Sequence, residues 1–262
     1  MPDFWYFFLS LGFLFALAAY GLSFKLRLYA LVDTVWALSL GLGAVAYFFW
    51  VAPSTARSVA ALGIMLVWSG RLSLHLLRDR ILPGKEDPRY AALAAHWGAR
   101  AKARFLFVFL AQIPLAALFL FPFTLAVDHA HHGWRLLDSL AVLVALVALF
   151  GEWLADWQLA RFRADSRHAG QVFQQGLWHY SRHPNYFFEW LHWFAYVGFA
   201  LGGPLGGLSL IGPVMMYLFL RYITGIPFAE RSSIRSRGQA YRDYQKSTNA
   251  FFPWRPQQDP NS

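Results

Sequence analysis

Apolar runs of about 20 residues recur along this chain, separated by shorter polar segments, and that length is what a helix needs to cross the hydrocarbon core of a bilayer. The pattern predicts seven spans, at about 4–24, 28–51, 59–78, 104–127, 136–157, 184–201 and 207–225. Residues 226–262 follow as a polar tail, in which 229–246 reads as an amphipathic helix lying on the membrane surface. The expected fold is therefore a single all-α integral membrane domain of seven transmembrane helices. Pro184 reinforces one boundary: its missing N–H is tolerated in the first turn of a helix and not in the middle.

Basic residues orient these spans. The connections before the second, fourth and sixth spans carry Lys25 and Arg27, then Arg78, Arg80, Lys85, Arg89, Arg100, Lys102 and Arg104, then Arg161, Arg163, Arg167 and Arg182. The tail adds Arg231, Arg235, Arg237, Arg242, Lys246 and Arg255, whereas the opposite side holds Arg57 and Arg135. Positive charge marks the cytosolic face, so the N-terminus is expected outside and the tail in the cytosol. With this orientation the polar side chains inside the spans share the cytosolic leaflet: Asp33, Arg71 and His75, Glu152 and Asp156, Asn185 and Glu189, and Arg221. Charges at such depth face a bundle interior or a wet cavity. One pocket open to the cytosol is expected.

Composition sharpens this. A chain 57% hydrophobic and 14% charged is not a soluble globule, so the net charge of +9 is read as loop topology and not as a nucleic-acid surface. No cysteine is present, which removes disulfides, thiolate nucleophiles and cysteine metal sites. Asp128-His129-Ala130-His131-His132 has metal-binding residue types, but a single short turn lacks a second ligand set, and no metal is expected. The start, Met1-Pro2-Asp3, has no basic region, so the first apolar run is expected to be a retained helix. The protein is expected in the bilayer of a bacterial inner membrane, or of the endoplasmic reticulum in a eukaryote. No G-x-G-x-x-G follows a strand, so any nucleotide must sit among helices.

The run Trp178-His179-Tyr180-Ser181-Arg182-His183-Pro184-Asn185-Tyr186-Phe187-Phe188-Glu189 concentrates the candidate chemistry. A helix N-terminus offers free N–H groups and partial positive charge, and Arg182 and His183 add to that field, so an anion is the expected guest. Gly84 to Tyr90 supplies a second mixture of Glu, Asp, Arg and Tyr.

Together with Asp156, Arg163 and the closing Tyr241-Arg242-Asp243-Tyr244 to Pro253-Trp254 segment, this run resembles the steroid 5α-reductase family, most closely its bacterial members of uncharacterised-domain type. The resemblance covers roughly residues 30–255. It implies a seven-helix membrane enzyme that binds NADPH in its cytosolic half and reduces the C=C bond of a 3-oxo-Δ4-steroid or related enone lipid. It implies cofactor contacts at Asp156, Arg163, Tyr180, Arg182, His183, Asn185, Tyr186, Glu189, Arg221 and Tyr244. Gln171 stands where the family often has a basic residue. The family's glutamate in the second helix has Asp33 as its nearest counterpart, and its tyrosine in the third has Trp68.

Hydride addition to an enone places charge on the carbonyl oxygen, so a donor must be aimed there. Asp33, if protonated by burial, then Tyr90 and His75 are the candidates in that order, with Trp36, Trp68 and Arg71 on the substrate side. The alternative is an S-adenosylmethionine-dependent membrane methyltransferase of the isoprenylcysteine or phospholipid type, whose motifs are similar to Arg182 to Glu189. A non-enzymatic lipid or sterol carrier is a third reading.

Overall fold

A computed structural model describes residues 2–52, 55–128 and 133–257, and these form helices and connections with no strand. The chain divides into two compact units: Met1–Asp138 with Tyr196–Ile211, and Ser139–Ala195 with Gly212–Ser262.

The first unit holds α1 (Pro2–Leu26), α2 (Leu31–Val51), α3 (Ala56–Leu76), α4 (Pro88–Trp97) and α5 (Ala101–Asp128). α2 packs on α3 and α5, and α1 packs on both α5 and α2. Lipid tails are as apolar as leucine, so such helices gain by close fit and not by leaving water. Gly43 shows the fit: a Cβ there would lie 2.4 Å from the ring of Phe8 and 2.8 Å from Leu120. At Gly41 a Cβ would meet Ser69 Oγ at 2.4 Å, and that hydroxyl donates to the Ala37 carbonyl at 2.7 Å. α5 runs unbroken through Pro114 and Pro122. Membrane helices tolerate proline because neighbouring helices and local adjustments re-satisfy the freed carbonyls.

Arg57 and Asp138 are both buried in this unit, with Nε to Oδ1 at 3.0 Å and Nη2 to Oδ2 at 3.1 Å. Arg135 also donates to Asp138 and, through Nη2 at 3.0 Å, to the carbonyl of Phe199 near the end of α8 (Pro184–Ala200). Asp128 accepts from Tyr47 at 2.5 Å; residues 129–132 of the His cluster lie outside the described residues.

The second unit takes α6 (Leu136–Ala164) from Ser139 onward, the short α7 (Leu177–Tyr180), most of α8, α9 (Ile211–Leu218), α10 (Ile226–Arg237) and α11 (Gln239–Ser247). The ring of Phe188 on α8 sits where a Cβ on Gly151 of α6 would be, 2.4 Å away. A Gly151→Ala variant is therefore expected to push the two helices apart and lower the melting temperature, at about 1–3 kcal/mol for an overpacked contact, as thermal unfolding in detergent would show. The tail is not the single helix expected over 229–246: Gly238, at φ 56°, adopts a left-handed conformation and divides α10 from α11.

Six helical stretches among the described residues are long and apolar enough to cross a membrane: Pro2–Leu26, Leu31–Val51, Ala56–Ile81, Pro88–Asp128, Leu136–Ala164 and Gly206–Arg237. The stretch expected at 184–201 is α8, which at 17 residues is not among them. Leu77–Ile81 after α3 and Phe219–Ile223 after α9 are wider π turns, a local rewinding that hydropathy does not reveal.

Candidate functional site

In the first unit the polar residues converge on Asp33, in the first turn of α2. Its Oδ1 accepts from the Tyr90 hydroxyl at 2.5 Å, and its Oδ2 from Arg80 Nη1 at 2.9 Å and Arg89 Nη2 at 2.8 Å. Both guanidinium groups also meet Asp87, at 2.9 Å from Arg80 and 3.0 Å from Arg89. The sequence builds this locally. Asp87 caps α4 by accepting the Arg89 N–H at 2.7 Å, Pro88 opens the helix, and Arg89 and Tyr90 follow in its first turn. The π turn after α3 carries Arg80. Glu86 accepts the Tyr29 and Ala30 N–H groups at 2.6 and 2.9 Å, tying this loop to the start of α2.

Asp33, expected as the donor, instead accepts from two guanidinium groups and a phenol. Tyr90 is the hydroxyl donor of the cluster. His75 stands outside it, half-exposed, with Nδ1 3.5 Å from Asp79. Trp36 and Trp68 meet edge to face at 5.6 Å, Trp68 is fully buried, and Arg71 is half-buried. The indole N–H of Trp36 and the hydroxyl of Thr34 are buried with no hydrogen-bond partner among the described residues. Arg80 and Asp87, both outside the expected site set, have different visibility in sequence. Asp87-Pro88 carries a helix-start signal; the aim of Arg80 depends on the π turn.

Burial raises the Asp87 carboxyl, but the hydrogen bonds of Arg89 and the charges of Arg89 and Arg80 outweigh it and hold it below the ordinary carboxylate value. A carboxyl depressed in the folded state contributes stability that is present above its unfolded value of about 3.9 and is lost as pH falls through the lower folded value. Amide protection across residues 82–90, taken against the intrinsic exchange rate at each pH, is thus expected to be full at neutral pH and to fall as pH drops below about 4.

In the second unit, Asn185 in the first turn of α8 donates from Nδ2 to Asp156 of α6 at 3.1 Å, and Trp193 Nε1 approaches Glu189 at 3.4 Å. His183 precedes Pro184, is buried, and stacks on Tyr186 at 5.4 Å. Arg163 is exposed and interacts electrostatically with Asp156, and Arg221 lies over the Tyr222 ring at 5.2 Å.

Arg182 and Tyr244 stand differently. Arg182 is nearly buried; its Nε and Nη2 bind Glu230 at 2.7 and 2.6 Å, and its Nη1 donates to the carbonyls of Gln245, at 3.0 Å, and Thr248. The Tyr244 hydroxyl donates to the carbonyl of Trp178. Tyr180 is half-exposed, and its carbonyl accepts the Trp254 N–H at 3.0 Å. Phe251 lies 5.8 Å from Trp190 and 5.1 Å from Tyr217. The expected phosphate fork at Arg182 is therefore corrected to a clamp between residues 178–183 and the tail, since every one of its terminal nitrogens already donates within the protein.

These observations define the class: a multi-pass, all-helical membrane protein with a carboxylate–guanidinium–phenol cluster in one unit and a polar helix start in the other. The chain matches the family model described as a protein of unknown function, DUF1295, over residues 19–248, and it belongs to that family. Neither curated proteins nor solved structures give a match.

Proposed function

We propose that this chain is an NADPH-dependent membrane reductase that adds hydride to the C=C bond of an enone lipid, most closely a 3-oxo-Δ4-steroid, as the steroid 5α-reductases do. α8 is assigned as the additional span, giving seven, with the N-terminus outside and the tail in the cytosol. In support, both basic residues assigned outside, Arg57 and Arg135, share an ion pair with Asp138, which offsets one of their two charges.

The observation that carries the reading is Tyr90 in contact with Asp33. When the β-carbon of an enone takes a hydride, the C=C pair moves through the conjugated system to the carbonyl oxygen, which must be met by a donor. On substrate binding the single Tyr90 proton would turn from Asp33 Oδ1 to the substrate oxygen, donate there and be transferred, and the tyrosinate left beside Arg89 would regain a proton from water. Arg80 and Arg89 neutralise Asp33, so the Tyr90 proton is not drawn onto an unshielded carboxylate. Trp36, with its unpartnered indole N–H, and the buried Trp68 are assigned to the body of the substrate.

NADPH would supply the hydride. Asn185, oriented by Asp156, offers a carbonyl and a second N–H to an amide or a sugar; Glu189 suits a diol. Arg163 and Arg221 offer positive charge to phosphates, and His183, whose burial favours the neutral ring, offers a hydrogen bond beside them; Arg182 and Tyr244 act indirectly by fixing the tail over residues 178–183.

The test is to purify the protein in mild detergent, denature it and identify released nucleotide by mass spectrometry, then follow NADPH oxidation with a 3-oxo-Δ4-steroid. Bound NADP(H) with steroid-dependent oxidation supports the proposal, and S-adenosylhomocysteine in its place would establish the methyltransferase reading instead.

A further inference from the structure

The outward face of α6 carries a ladder of rings with a cation at its end. Phe150, Trp153 and Trp157 are 61%, 50% and 45% exposed. Their spacings of three and four residues bring them onto one face of the helix, and Arg161 extends the same line. Successive rings are nearly aligned, with Phe150 to Trp153 at 5.7 Å and 37°, and Trp153 to Trp157 at 6.3 Å and 21°. The Arg161 guanidinium lies over Trp157 at 5.4 Å and makes no ion pair among the described residues.

Length decides what fits. From Phe150 to Arg161 the helix rises about 16 Å, at 1.5 Å per residue, which is close to half of the roughly 30 Å hydrocarbon core. The ladder therefore covers one leaflet, with its only charge at headgroup level. An isolated interfacial tryptophan would need no further account, because aromatic residues collect at that depth. Here the rings extend inward in near-parallel order, a flat wall for a hydrocarbon chain, and the cation rests on the uppermost ring. The nearby Asp165 is engaged by Arg167 at 2.6 Å, and Asp156 accepts from Asn185.

We propose that this face of α6 is a binding site for one anionic glycerophospholipid, with its phosphate on Arg161 and an acyl chain along Trp157, Trp153 and Phe150. A single cation sets the selectivity: an anionic headgroup is matched, and a zwitterionic one carries its own ammonium beside the phosphate. One cation near a membrane surface is worth about a fivefold preference. The ring ladder supplies retention and the arginine supplies choice. The site is independent of the reductase reading.

The test is native mass spectrometry of the detergent-purified protein, equilibrated with equal amounts of phosphatidylglycerol and phosphatidylcholine of identical acyl chains. One phosphatidylglycerol is expected to remain bound in about fivefold excess over phosphatidylcholine. Arg161→Gln should abolish the preference while leaving some lipid of both kinds, Arg161→Lys should retain much of it, and Trp153→Ala with Trp157→Ala should reduce retention of both. All four positions are exposed, so circular dichroism should be unchanged. Equal retention of the two lipids, a preference untouched by Arg161→Gln, or a lipid-free dimer dissociated by the tryptophan variants would overturn the proposal, the last by making a second copy the occupant.

Discussion

Replacing Tyr90 with phenylalanine is expected to lower turnover of an enone substrate by about 10²–10⁴-fold, the usual weight of a positioned general acid, while leaving NADPH affinity unchanged. The hydroxyl is the only part of the side chain removed, and it is the donor to Asp33. Steady-state rates together with nucleotide titration separate the two effects. The companion variant, Asp33→Asn, removes a charge that Arg80 and Arg89 both contact and should cost stability as well as rate. If Tyr90→Phe keeps full activity while Asp33→Asn loses it, the cluster is a structural tie and proton delivery lies elsewhere.

Arg182→Ala is expected to destabilise the protein by about 3–5 kcal/mol, the range seen when one partner of a buried ion pair is removed. The loss should be concentrated in the tail, because the same guanidinium holds Glu230, Gln245 and Thr248. Limited proteolysis would show it as new cleavage between residues 225 and 255, at a protease concentration that leaves the parent intact. A paired replacement, Arg182→Met with Glu230→Leu, should recover part of the loss, since no unpaired charge is then left buried. Were the side chain instead a free phosphate contact, the single variant would weaken nucleotide binding with no change in protease resistance.

These two residues also show where sequence and structure part. The helical membrane class was legible because hydrophobic length is a local property, and long apolar runs do not depend on what they pack against. The start of α8 was equally legible from His183-Pro184, because proline acts within a few residues, whereas α4 lies in a stretch that reads as a polar connection between spans. Asp156 and Asn185 were singled out by spacing and depth, and they meet at 3.1 Å.

Partner choice was not legible. Asp33 reads as a buried acid from its place in an apolar helix, but Arg80 and Arg89 reach it from 47 and 56 residues away. The approach of Arg80 depends on a π turn, whose hydrogen bonds shift by one residue without altering the hydrophobic pattern. Arg182 reads as an anion fork beside a helix start, whereas Glu230, 48 residues on, occupies it. Thus the sequence by itself determined that this is a multi-pass helical membrane protein and where α8 begins, since each follows from local composition and backbone chemistry. Only the tertiary structure decided which charges are spent on one another and which remain available, because an ion pair is settled by distance in space, and residues far apart along the chain carry no mark of it.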